Sequence, residues 1–269
     1  MPNAPASPKL ALAGHRETVA RLHASGKSNR GAAPYSRWVN RWLGRHLAAA
    51  AFRLGRTPNQ VTAASAVFTF AGIVTIALAD LSWVVDAAVC AALLFGYALD
   101  SADGQLARLR GGGNPGGEWL DHAVDATKIA TFHLAVAIAW YRSYHLSHVG
   151  LLLIPLAYSA VNSVYFLALV LADLLRRIAL TRPGATRPEY RLLDPTERAP
   201  LLRTWIVAPQ DYGVLCLVVV LLPARPAFGV AYCALLVANT GFLLAGSVRW
   251  FRELTALPSV PTWVEALAP

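Results

Sequence analysis

The sequence predicts an all-α polytopic membrane protein, a six-transmembrane-helix bundle with an N-terminal interfacial amphipathic helix. Three observations carry that expectation. Of the 269 residues, 56% are hydrophobic and 14% charged, against about 25% charge in an ordinary soluble domain, and the mean hydropathy is +0.44. Six apolar runs each approach the length that crosses a hydrocarbon core of about 30 Å. Links such as Asp80-Leu81-Ser82 and Leu222-Pro223-Ala224-Arg225-Pro226 are short enough that only antiparallel neighbours fit them.

Residues 1–33 are polar, rich in Ala, Ser and Pro, and lack the apolar core of a cleavable signal. They read as a disordered cytoplasmic arm. Over 34–56, Arg37, Arg41 and Arg45 recur every fourth residue beside Trp38 and Trp42. A helix with that pattern lies in the membrane interface, aromatics toward the acyl chains and arginines toward headgroups or a substrate phosphate. Spans follow near 58–80, 83–109, 118–141, 148–175, 209–224 and 227–249. With the interfacial helix they form one domain over 34–250, and a cytoplasmic tail covers 251–269. No internal repeat is apparent.

The basic residues sort by side. Ten of the 24 Lys and Arg precede the first span, from Lys9 through Arg56, two follow the second span, seven lie in 176–208, and Arg249 and Arg252 lie at the end of the last span and in the tail. Only Arg142 and Arg225 fall on the opposite side, and Lys128 lies within the third span. Positive charge stays inside, so both termini are expected in the cytoplasm and the protein in the plasma (inner) membrane. The net charge of +9 faces lipid or an anionic substrate; no nucleic-acid-reading module accompanies it. Cys90, Cys216 and Cys233 are odd in number, sit in apolar runs and form no CxxC, which points away from disulfides and structural zinc.

The chemistry is concentrated where spans two and three meet. From Asp100 the chain reads Asp-Ser-Ala-Asp-Gly-Gln-Leu-Ala-Arg, with Gly117, Asp121 and Asp125 following. A carboxylate at membrane depth costs roughly 2.5–3.5 kcal/mol on insertion scales, and bound divalent cations are the usual compensation. Asp100 and Asp103, at i and i+3, share a helical face, as do Asp121 and Asp125 at i and i+4. The Gly-rich turn from Arg110 to Gly117 brings the two faces together. Gly104 and Ala107 permit close approach of a backbone or a substrate, and Arg108 places a guanidinium suited to phosphate oxygens. Four carboxylates beside a guanidinium read as a two-metal site for a diphosphate. Lys128, one turn past Asp125, is expected to pair with an aspartate, contact with a substrate phosphate being the alternative. His122 lies about 100° off the metal face and reads as structural, His145 and His148 sit on the outer side, and Asp173 with Arg176 and Arg177 reads as a local helix-end pair.

The pattern Asp-x2-Asp-Gly-x2-Ala-Arg-x8-Gly-x3-Asp-x3-Asp resembles the signature of the CDP-alcohol phosphotransferases. Asp100, Asp103, Gly104, Ala107, Arg108, Gly117, Asp121 and Asp125 match it without a gap. Thr57-Pro58-Asn59-Gln60-Val61-Thr62 looks like the start of that family's first transmembrane helix. The resemblance covers roughly 35–250 and implies the following. Asp100, Asp103, Asp121 and Asp125 hold two divalent cations, Mg2+ or Mn2+. Asp125 is also the proton acceptor from the attacking hydroxyl. Thr57, Pro58, Asn59, Gln60, Gly104, Arg108 and Asn114 face the CDP donor. The donor is expected to be CDP-diacylglycerol and the acceptor a small polar alcohol, with CMP released in phospholipid biosynthesis by a homodimer in the membrane. A CDP-inositol donor joined to an inositol phosphate or lipid is the alternative. Relatives that use inositol phosphate carry a lysine in the fourth span, where this chain has none; Arg187, Arg191 and Arg198 could substitute. Two further classes are weaker. An aromatic-acceptor prenyltransferase would separate its Asp-rich motifs widely, and an ion-coupled transporter would show inverted repeats.

Overall fold

The computed structural model describes residues 14–24, 31–180 and 201–257. Arg187, Arg191 and Arg198, most of the arm, and the end of the tail lie outside the described residues. The helices among them are α1 (His15–Ala24), α2 (Arg41–Arg53), α3 (Pro58–Leu78), α4 (Trp83–Leu109), α5 (Pro115–Ser143), α6 (Leu153–Leu180), α7 (Leu201–Ile206), α8 (Tyr212–Val219) and α9 (Arg225–Thr255). A π-helical turn, Ser36–Asn40, leads into α2, and no strand occurs among the described residues. Five helical runs are long and apolar enough to cross a membrane: α3, α4, α5, Val149–Ala179 and α9. The chain is an all-α polytopic membrane protein.

The apolar stretch 209–224 takes a different form from the other five. Its α-helical part, α8, is eight residues long. The N–H groups of Val220, Leu221 and Leu222 then donate to the carbonyls of Leu217, Val218 and Val219, which tightens the chain into 3₁₀-type turns. Pro209 and Pro223 bound the stretch, and a proline's missing N–H limits how far a helix extends. The segment compensates by burial: Cys216 and Leu222 are fully enclosed and Val219 is 1% exposed.

Helix starts follow local side-chain chemistry. Thr57 and Gln60 form a reciprocal capping box at α3, with Pro58 in the first turn. Ser82 caps α4 through Val85 N–H, and Asn114 caps α5 through Gly117 N–H at 2.7 Å. α3 and α4 then approach so closely that a Cβ on Gly96 would lie 2.4 Å from Thr69 Oγ1. Ser65 donates to the Gly96 carbonyl at 2.8 Å. Small residues and short polar links of this kind bring membrane helices together where lipid offers no hydrophobic drive. The main core gathers Leu93, Phe132, Val136, Cys216 and Tyr232 from α4, α5, α8 and α9. Within it His133 lies between Tyr232 Oη (2.6 Å) and Asn162 Nδ2 (3.0 Å), joining α5, α9 and α6.

The expected disordered arm contains a helix. In α1, Leu22 is 2% exposed and packs with Ala48, Ala49 and Leu106 of α2 and α4. Two apolar residues one turn apart, Val19 and Leu22, suffice for docking although the arm as a whole is polar. α2 lies close on α4, where a Cβ on Gly44 would sit 2.7 Å from Ser101 Oγ. Its preceding turn is anchored by Ser36 N–H on Asp211 Oδ2 at 2.9 Å, and Arg37 donates to Thr204 Oγ1 at 2.9 Å. Trp38 and Trp42 remain about half exposed, an arrangement suited to a membrane interface.

Candidate active site

The site is assembled by three helix ends. α4 carries Asp100, Asp103, Gly104, Ala107 and Arg108 on its last turns. The chain then reverses through Gly111 (φ 93°) and Gly112 (φ 124°), conformations that L side chains rarely adopt. α5 begins at Pro115 and carries Gly117, Asp121 and Asp125. The N-terminus of α3 closes the third side, so the positive ends of two helix dipoles border one place, a setting that favours anions.

Carboxylate oxygens of Asp100, Asp103 and Asp121 lie within 4.8 Å of one another. Asp103 is 4% exposed and accepts a 2.5 Å hydrogen bond from Thr62 Oγ1 on α3. Three like charges at such separations repel unless a cation joins them, and hard oxygen donors suit Mg2+ or Mn2+. The residues therefore fit a divalent metal. Asp125, the fourth predicted ligand, stands one turn further along α5 and forms an ion pair with Lys128 at 2.5 Å. The pairing expected for Lys128 is present.

Beside the carboxylates lies a cavity of about 470 Å³. Of the predicted donor-facing residues, Thr57, Pro58, Asn59, Gly104, Arg108 and Asn114 line it, together with Asp103, Gly117 and Asp121. Gln60 does not line it; its side chain accepts from Thr57 N–H in the capping box. Gly104 serves open space, since a Cβ there would meet only Arg108 Nη1 at 3.6 Å. Gly117 serves close packing, with Asn59 Oδ1 3.0 Å from where its Cβ would be. Thr62, Glu118, His122 and Arg177 also line the cavity. Thr62 belongs to the helix-start motif, which by itself implies no task for it, and His122 reaches the cavity although it lies off the metal face. Arg177 binds Asp173 as its i,i+4 spacing suggests, and also reaches Glu118 at 2.7 Å. Arg176 pairs instead with Glu253 of α9 at 2.6 Å. No spacing rule connects α6 to α5 or α9, so neither cross-helix pair was accessible from sequence.

A sequence model of the CDP-alcohol phosphatidyltransferase family matches residues 56–251, and the chain belongs to that family. It is a membrane transferase of phospholipid biosynthesis, in a family that moves a phosphatidyl group from a CDP-alcohol and uses divalent cations. A search of curated protein sequences finds no match.

Proposed function

We propose that the protein transfers the phosphatidyl group of CDP-diacylglycerol to the hydroxyl of a small polar alcohol and releases CMP, at the cytoplasmic face of the plasma membrane. The observation that carries this is the cluster of three carboxylates within 4.8 Å, opening on a cavity bordered by Arg108 and two helix N-termini. That combination suits a diphosphate whose remaining parts are a soluble nucleotide and a lipid.

Two divalent cations at Asp100, Asp103, Asp121 and Asp125 would neutralise the diphosphate and polarise its phosphoryl oxygens. The Asp125 carboxylate accepts the proton of the acceptor hydroxyl. The hydroxyl oxygen then attacks the phosphorus that bears diacylglycerol, and the bond from that phosphorus to the CMP oxygen breaks. Arg108 offsets the negative charge developing on CMP. Gly104 leaves room for the diphosphate, while Thr57, Pro58, Asn59 and Asn114 border the nucleotide. Gln60 acts one step back by fixing the Thr57 turn. Trp38, Trp42 and the arginines of α2 rest in the interface, where they meet headgroups. A homodimer is supported by α6, where Leu153, Val164, Leu167 and Leu174 are exposed and so offer an apolar face to a second copy or to lipid.

The test is a donor panel. Purified protein is given CDP-diacylglycerol, CDP-inositol or a water-soluble CDP-alcohol, each with a set of small alcohols and their phosphates, and CMP is measured. CMP release with CDP-diacylglycerol supports the proposal; release with CDP-inositol alone replaces the donor; release with none of them overturns it.

A further inference from the structure

Among the described residues Lys128 is the only lysine or arginine that is buried, at 7% exposure. It lies inside a membrane-spanning helix, where a cation is costly unless it is paired. Its ammonium is 2.5 Å from Asp125 Oδ1 and 4.9 Å from the centre of the Tyr212 ring. Asp100 of α4 and Tyr97 also act on it electrostatically. It does not line the cavity, so the ammonium is turned to the carboxylates and away from the space where a substrate phosphate would lie. Its charge is thus placed among the same acidic groups that a divalent cation would occupy.

We propose that Lys128 is the internal counter-cation of the acidic cluster: it holds Asp125 when no divalent cation is bound and yields that carboxylate when one binds. Lys128 is a positioning residue, setting how tightly the cluster takes metal and keeping the bundle folded without it. The role presupposes that the carboxylates hold divalent cations, as proposed above.

The test uses the full-length protein in detergent, with Mn2+ as the probe. Mn2+ affinity is read from the spin-resonance signal of the free ion, and thermal unfolding is followed in EDTA and in Mn2+. Lys128→Met is expected to bind Mn2+ about tenfold tighter or more, since the like charge that competes with the metal for the carboxylates is gone. It should also unfold at lower temperature than wild type in EDTA, by a margin that Mn2+ removes. The double variant Lys128→Met/Asp125→Asn should recover stability in EDTA, because neither partner is then left as an unpaired charge. Unchanged Mn2+ affinity in Lys128→Met, with equal destabilisation in both media, would show that the side chain only fills space and overturn the proposal. Where Lys128→Met folds in neither medium, recovery of folding by the double variant supports the counter-cation role and failure to recover overturns it. A wild-type protein that binds no Mn2+ overturns the metal site itself, an outcome separate from tight wild-type binding left unaltered by the substitution.

Discussion

Thr62 Oγ1 donates a 2.5 Å hydrogen bond to Asp103 Oδ2, tying α3 to α4 beside the acidic cluster. Both residues are buried, at 4% exposure each, so the bond orients a carboxylate that is proposed to hold a cation. Partners of metal ligands change affinity about 10–100-fold when removed. Thr62→Val should therefore weaken Mn2+ binding by about tenfold and lower kcat/KM, while Thr62→Ser retains both. Equal Mn2+ affinity in Thr62→Val and wild type would show that the bond is structural only.

Cation binding and base catalysis separate by rescue. Asp100→Asn and Asp121→Asn should weaken binding of a cation that high Mn2+ or Mg2+ restores in part, and their activity should rise with cation concentration. Asp125→Asn cannot accept a proton, and loss of a general base costs about 10²- to 10⁴-fold. Added cation should leave that variant slow while CDP-donor binding persists. Near wild-type turnover by Asp125→Asn would show that the proton leaves by another route, and His122, which lines the cavity, becomes the next candidate.

Two glycines of α4 should respond oppositely to a methyl group. Gly96→Ala places a Cβ 2.4 Å from Thr69 Oγ1 and 3.1 Å from the Ser65 carbonyl oxygen, and overpacking of that kind costs about 1–3 kcal/mol. Gly104→Ala meets nothing nearer than 3.6 Å, so its melting temperature should stay at or above wild type. Its methyl projects where the diphosphate is proposed to lie, and affinity for the CDP donor should fall. Unimpaired donor affinity in Gly104→Ala would remove that glycine from the binding surface.

The sequence was most informative where chemistry is local. The start of α3 at Thr57-Pro58 and the i,i+3 pair Asp100 and Asp103 are set by residues within one turn, and each is in place. The turn through Gly111 and Gly112 brings Asp121 to the first pair because its length and glycines leave few other paths. Contacts between distant segments were not legible. Thr62 on Asp103 depends on the rotation of α3 about its axis, and Arg176 on Glu253 joins residues 77 apart. The helix α1 escaped notice because a docking surface of Val19 and Leu22 is too small to alter the average polarity of the arm. The stretch 209–224 has the composition of a span, and the prolines at its ends decide its form instead.

Orientation rests on the distribution of Lys and Arg, and chemical labelling checks it. In a Cys233→Ser background, a cysteine replacing exposed Arg53 at the C-terminal end of α2 should react with a membrane-impermeant thiol reagent only from the cytoplasmic side. One replacing exposed Ser147 between α5 and α6 should react only from outside. Reaction of the Arg53 position from outside would put the acidic cluster on the wrong face for CDP substrates.

The most direct measurement is CMP release from CDP-diacylglycerol by the purified protein, followed with the acceptor panel in Mn2+, in EDTA, and for Asp125→Asn in Mn2+. The expected result is CMP formed together with a phosphatidyl alcohol in Mn2+, none in EDTA, and a rate for Asp125→Asn reduced by about 10²-fold or more. CMP release that persists in EDTA, or that is unchanged by Asp125→Asn, would contradict a metal-clustered site in which Asp125 takes the proton.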